Sequence, residues 1–213
     1  MYLEPGKIPS VDNWAVDYVH AYYKDHIKKQ LITHNSKSHQ FFVNPDHWKQ
    51  FMLSRTKLMA YFEENTYPFG EPVRALWMKY YSADMKDENG FGGFLGLHQD
   101  HFNFPDKTDQ IVFVNSILID QSNDMAGGEV VLAGDSYDTH DPKKRPIDTR
   151  DIMHRLKVVR QEKPGDVIWW NGFTLHGIGQ IKKGDRLTLM VVKFIDWDDR
   201  YFDRRKFSDP YYE

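Results

Sequence analysis

The sequence predicts a mainly β protein, a jelly-roll with helices at its N-terminal end. Two early segments repeat apolar residues at helical spacing. From about Val73 the texture changes to short apolar or alternating runs, and eight such runs follow, separated by Gly, Asp, Asn and Pro. Eight short strands after two helices fit a two-sheet sandwich with the helices packed on one sheet.

The elements follow in chain order. Residues 10–31 carry Trp14, Tyr18, Tyr22 and His26 at steps of four, with Val19, Tyr23 and Ile27 beside them, so an amphipathic helix capped by Ser10 is expected. A second helix is expected from Pro45 to about Glu64. Asn44 suits its cap, Pro45 its first turn, and Trp48, Phe51, Met52, Arg55, Leu58, Met59 and Phe62 fall mostly on one side. Strands are expected near 73–82, 94–100, 111–119, 128–133, 156–160, 166–170, 175–181 and 186–195. Residues 84–93 and 134–155 are polar connections, the second long enough to suggest a lid or substrate-facing loop. The chain therefore divides into an N-terminal helical segment (1–70), a β domain (71–196) interrupted by the 134–155 insertion, and an aromatic and charged tail (197–213).

Composition narrows the chemistry. With 40% hydrophobic and 15% aromatic residues, the 213-residue chain can fill one core. Cysteine is absent, which excludes disulfides, thiolate metal sites, iron–sulfur clusters and thiol nucleophiles, so any metal must rest on nitrogen and oxygen ligands. A net charge of −3 gives no basic footprint for nucleic acid. The start MYLEPGKIPS has no signal-peptide character, and no run approaches a membrane span of roughly 18 apolar residues; the expectation is a cytoplasmic protein with no membrane partner.

His98 and Asp100 lie two residues apart on an expected strand, so they share a face and can converge on one cation. His176, at the start of a late strand, offers a third ligand. Two imidazoles and one carboxylate leave three positions open on an octahedral iron, enough for a bidentate 2-oxo acid and dioxygen. Arg186 follows His176 by ten positions, and Thr188 shares its face; a guanidinium and a hydroxyl there suit the distal carboxylate of 2-oxoglutarate. His101 should point to the opposite face from Asp100. Gly127 and Gly128 read as a tight turn, Lys143, Lys144 and Arg145 as a solvated loop, and Asp196, Asp198 and Asp199 as a polar strand exit.

The pieces MKYYS, LHQD, VNSILIDQ, GGEVVL and KPGDVIWWNGFTLHGIGQIKKGDRLTLMVVKF, in that order from about Leu76 to Phe194, resemble the prolyl 4-hydroxylase-type catalytic domain of the Fe(II)/2-oxoglutarate oxygenases. The resemblance implies a double-stranded β-helix core, cupin-like in architecture. It implies His98, Asp100 and His176 as iron ligands and catalytic centre, and Arg186 with Thr188 as the 2-oxoglutarate site. A tyrosine of the preceding strand also contacts the 2-oxo acid in this family; Tyr80 and Tyr81 are the candidates, and Tyr81 is preferred. The implied cofactors are Fe(II), 2-oxoglutarate and O2, with ascorbate as reductant, and the implied substrate is an aliphatic C–H bond of a prolyl residue or another amino acid, peptide or protein. Asp100 is intact, unlike the small residue of carbon halogenases, and Val192 stands where the nucleic-acid demethylases carry a second arginine. An aromatic lining from Phe94, Phe102, Trp169 and Trp170 is expected around the oxidant. The competing readings are a non-catalytic cupin-type protein binding a metal and a small acid, and a zinc hydrolase, which lacks a placed carboxylate base.

Overall fold

The structure is a computed structural model that describes residues 5–24, 56–84, 95–98, 112–133, 153–172 and 174–194. The order is β1 (Gly6–Ile8), α1 (Asn13–Tyr22), α2 (Thr56–Asn65), β2 (Val73–Ser82), β3 (Leu95–His98), β4 (Val112–Gln121), β5 (Ala126–Gly127), β6 (Val130–Ala133), β7 (Leu156–Val159), β8 (Val167–Asn171), β9 (His176–Ile178), β10 (Ile181–Lys183) and β11 (Asp185–Phe194). A five-stranded sheet runs β1-β8-β4-β11-β2, a four-stranded sheet runs β3-β9-β6-β7, and β10 pairs with β5. All pairings are antiparallel. This is the expected jelly-roll, and all eight expected strands are present.

Three short strands were not expected. β1 lies between two prolines and owes its pairing with β8 to tertiary contact, since three residues carry almost no periodicity. β5 and β10 form a small ribbon because the run expected at 175–181 breaks at Gly179 and Gln180, and the chain re-pairs with Gly127 and Ala126.

The sheet partitions its side chains by period. On one face Leu76, Met78, Ile117, Ile119, Val167, Leu187, Leu189 and Val191 join Val11, Ala15, Val16, Val19, Tyr23, Leu58 and Phe62 in one buried cluster, which seats α1 and α2. Each fully buried large apolar side chain there contributes about 2 kcal/mol. The face of α1 differs from expectation. Ala15, Val16, Val19 and Tyr23 point inward, while Trp14 and Tyr18 are exposed, Trp14 resting edge-on against Tyr61 of α2 at 4.7 Å. The rotation follows from packing: the small side chains of Ala15, Val16 and Val19 let the helix approach the sheet, whereas Trp14 and Tyr18 there would hold it off.

Ser10 is not the cap of α1 either. Asp12 occupies the cap position without a side-chain hydrogen bond, and its backbone N–H donates to the Tyr61 hydroxyl at 2.7 Å. Ser10 Oγ donates instead to Asp166 Oδ1 at 3.0 Å. Residues 25–55, which include His26, Ile27, Asn44 and the start of the second expected helix, lie outside the described residues, as do 85–94, 134–152 and 195–213.

Two buried polar knots tie the helices to the sheet. Lys193, on the helix side of β11, donates to the carbonyls of Glu63 (3.3 Å), Thr66 (2.8 Å) and Pro68 (3.0 Å), closing the C-terminal end of α2. Asp166 accepts from Lys7 Nζ, Ser10 Oγ and the backbone N–H groups of Glu162 and Lys163. Burial pushes the Asp166 carboxyl up, but the bonds from Lys7, the Glu162 N–H, Ser10 and the Lys163 N–H outweigh it and hold it at about 2. A depressed carboxyl contributes stability above its unfolded value and loses it as pH falls through its folded value. Because the Lys7 side chain is 43% exposed, screening limits the contribution to about 1–2 kcal/mol. Asp166→Asn is therefore expected to cost about that much at pH 7, with the difference from wild type vanishing between roughly pH 4 and pH 2. Equal denaturant midpoints for the two proteins at pH 7 would refute this assignment.

Candidate active site

The interior between the two sheets is lined by the other face of the large sheet. Arg186 and Thr188 on β11 sit two residues apart and share that face. Across the β11–β2 pairing Tyr81 stands opposite Arg186, and Lys79 opposite Thr188. All four are buried. Tyr81 thus takes the inward position and Tyr80 the outward one, where its hydroxyl donates to Asp185 Oδ2 at 2.8 Å and its ring stacks with Tyr23. Lys79 is a site-facing cation that the sequence reading passed over; a lysine in period with Tyr81 in the largely apolar stretch ALWMKYY was the available signal.

Arg186 is held without a carboxylate in hydrogen-bond contact among the described residues. Nη1 donates to the Gly128 carbonyl at 2.6 Å and Nη2 donates to Gln161 Oε1, while Nε has no partner among the described residues. Burial pulls its pKa down to about 10, partly offset by Tyr81 and Glu129, so it remains a cation at neutral pH. Thr188 is 1% exposed and its hydroxyl also lacks a partner among the described residues. Buried polar groups left unsatisfied cost about 1–3 kcal/mol each. An unsatisfied Nε–H on a guanidinium that no carboxylate contacts among the described residues, with an unsatisfied hydroxyl beside it, can receive an anion.

Gly127 and Gly128 act as the tight turn expected of them. Both have positive φ (82° and 73°), and a Cβ on Gly127 would overlap the Gln180 carbonyl oxygen. The turn aims the Gly128 carbonyl at Arg186.

His176 begins β9, pairs with His98 of β3 on one side and with Leu132 of β6 on the other, and is buried. Its Nδ1 lies 3.0 Å from the Thr174 carbonyl oxygen. A carbonyl only accepts, so Nδ1 carries the proton, and Nε2 is the nitrogen through which a neutral imidazole here would ligate a metal. Trp170, from the large sheet, packs against the His176 ring at 4.5 Å between centroids. Asp100 and the side chain of His98 lie outside the described residues, as do Phe94 and Phe102. Trp169 faces the other way: it alternates with Trp170 along β8 and packs against Tyr67 at 4.5 Å and Phe113 at 6.4 Å, so it is not part of the interior lining.

No family model and no curated protein matches the sequence. Solved structures do. The non-heme alpha-ketoglutarate-dependent epimerase SnoN from nogalamycin biosynthesis aligns over 89% of this chain and 77% of its own, with 17% identity and a TM-score of 0.58. EctD from S. alaskensis aligns over 88% and 72%, with 14% identity and a TM-score of 0.58. A Pseudomonas putida prolyl-4-hydroxylase aligns over 91% and 93%, with 10% identity and a TM-score of 0.51. The chain has the jelly-roll fold of the Fe(II)/2-oxoglutarate oxygenases. Within that oxygenase fold, β3 and β9 bring the backbones of His98 and His176 side by side, and β11 and β2 bring Arg186 and Tyr81 together.

Proposed function

We propose that the chain is an Fe(II)- and 2-oxoglutarate-dependent dioxygenase that hydroxylates an aliphatic C–H bond of a prolyl residue or another amino-acid or peptide substrate. The observation that carries this reading is the buried Arg186, cationic and held by neutral acceptors, with its Nε and the Thr188 hydroxyl both awaiting a partner. His98, Asp100 and His176 are the proposed metal ligands and catalytic centre. Their donor set of two imidazoles and a carboxylate fits iron(II), and the protonation of His176 at Nδ1 fits coordination through Nε2.

Iron(II), when bound, supplies the activation of dioxygen that couples conversion of 2-oxoglutarate to succinate and carbon dioxide with hydroxylation of the substrate. The chain's own residues do the positioning. Arg186 pairs with the distal carboxylate of 2-oxoglutarate and Thr188 donates a further hydrogen bond to it. Tyr81, opposite Arg186, contacts the cosubstrate from β2. Trp170 closes one side of His176 and keeps water from it. Ascorbate is the proposed reductant that maintains the ferrous state.

The substrate proposal rests on the prolyl-hydroxylase resemblance. SnoN, which shares the fold, has been solved with Fe3+, alpha-ketoglutarate and nogalamycin RO, so small natural products belong in the same screen. The test is incubation of the protein with Fe(II), 2-oxoglutarate, ascorbate and air, with succinate followed by NMR, across prolyl peptides, free amino acids and small natural products. Succinate that rises with one substrate class supports the proposal. Tight metal binding with no succinate under any condition moves the cupin-type binding protein to the front.

A further inference from the structure

We propose that Gln161 is a positioning residue for the cosubstrate: by anchoring Arg186 through a neutral oxygen, it aims the guanidinium while leaving its charge for a ligand, and so makes the site selective for 2-oxo acids that carry a distal carboxylate. The inference rests on the oxygenase reading above and adds to it a residue that does not touch the ligand.

Three contacts fix the Gln161 side chain. It is buried, and Nε2 donates to the Ser116 carbonyl at 2.6 Å and to the Asp166 carbonyl at 2.8 Å. Two backbone carbonyls can only accept, so the amide nitrogen must face them and Oε1 must face Arg186. The amide cannot flip without setting oxygen against two oxygens and nitrogen against a cation. Gln161 therefore transmits the position of β4, which carries Ser116, and of the turn before β8, which carries Asp166, to the guanidinium on β11.

The chemistry of the anchor sets the selectivity. A buried arginine is ordinarily paired with a carboxylate, which neutralises it. Here the acceptors are an amide oxygen and the Gly128 carbonyl, which orient a planar guanidinium without cancelling its charge. Glu129, the acidic neighbour that acts on Arg186 from a distance, is itself 3.4 Å from the Arg160 guanidinium at the surface. A neutral group at position 161 is thus a requirement for anion binding as well as for packing. A glutamate of the same shape would convert the receptor into a closed ion pair.

The test is calorimetric titration of Mn(II)-loaded protein, which does not turn over, with 2-oxoglutarate and with pyruvate. Pyruvate keeps the 2-oxo acid head and lacks the distal carboxylate. Gln161→Glu is expected to weaken 2-oxoglutarate binding by about 100-fold, the scale of a buried charge pair lost to competition. Gln161→Met, which removes the anchor and leaves the charge, is expected to weaken it by about 10-fold, the scale of one hydrogen bond. Pyruvate binding stays within about twofold of wild type in both, because the head-group ligands are untouched. A general loosening of the fold would lower both ligands alike and would overturn the proposal. So would variants that bind 2-oxoglutarate as tightly as wild type. A wild-type protein that binds no 2-oxoglutarate would overturn the oxygenase reading and the role of Gln161 with it.

Discussion

Arg186→Met is expected to raise the dissociation constant for 2-oxoglutarate by at least about 100-fold while leaving Fe(II) binding intact. A charge-assisted hydrogen bond is worth about 1.5–3 kcal/mol, and a guanidinium offers two to a carboxylate; each 1.4 kcal/mol is a factor of ten. The effect on stability is smaller because two costs oppose. The variant strands the Gly128 carbonyl and Gln161 Oε1, but it also removes a cation that burial has already pulled down to about 10. A thermal midpoint within a few degrees of wild type (about 1 kcal/mol) is therefore expected, which separates lost binding from lost folding. Cosubstrate affinity within threefold of wild type would remove Arg186 from the site.

His176→Ala is the second large effect. It takes away one of three proposed ligands, and even partners that only orient a ligand shift metal affinity by about 10–100-fold. Iron(II) affinity should fall by at least about 100-fold, and substrate-dependent succinate formation should disappear with it. The variant also leaves a cavity against Trp170, at a cost of about 2 kcal/mol, so the protein remains folded for the measurement. Unchanged iron affinity by competition with a coloured chelator would exclude His176 as a ligand.

How much of this was legible in the sequence depends on what each element relies on. The strands from Val73 to Phe194 were readable as short apolar or alternating runs bounded by turn residues; β11, buried on both faces, shows its period only where Arg186 and Thr188 alternate with Leu187 and Leu189. The same alternation allowed only one of Tyr80 and Tyr81 to face inward, and the register with Arg186 makes it Tyr81. Elements that exist only through their partners were not readable. β1 is three residues between prolines, and the ribbon of β5 and β10 depends on a turn whose pairing no local pattern announces.

The face of α1 was legible in part: Val19 and Tyr23 of the expected stripe are buried, but Trp14 and Tyr18 of the four-step aromatic row are exposed, because close approach to a sheet selects Ala15, Val16 and Val19. At the site, the sequence offers candidates through residues of recognisable ligand chemistry, but it carries no sign of what supports them. Gln161 lies in the polar stretch after β7, and nothing in its neighbours reveals that Ser116, Asp166 and Arg186 converge on it. Trp169 and Trp170 looked equivalent side by side; one residue of register sends the first to the helix side and the second to His176.

The central claim is that one interior site holds iron and 2-oxoglutarate together, with Arg186 fixing the cosubstrate. Its most direct measurement is anaerobic titration of the Fe(II)-loaded protein with 2-oxoglutarate, watching for the visible metal-to-ligand charge-transfer absorption of a chelated 2-oxo acid. The account predicts a saturable band in wild type that needs far higher 2-oxoglutarate in Arg186→Met and is missing in Asp100→Ala and His176→Ala. No band in the wild type at saturating Fe(II) and 2-oxoglutarate would contradict it.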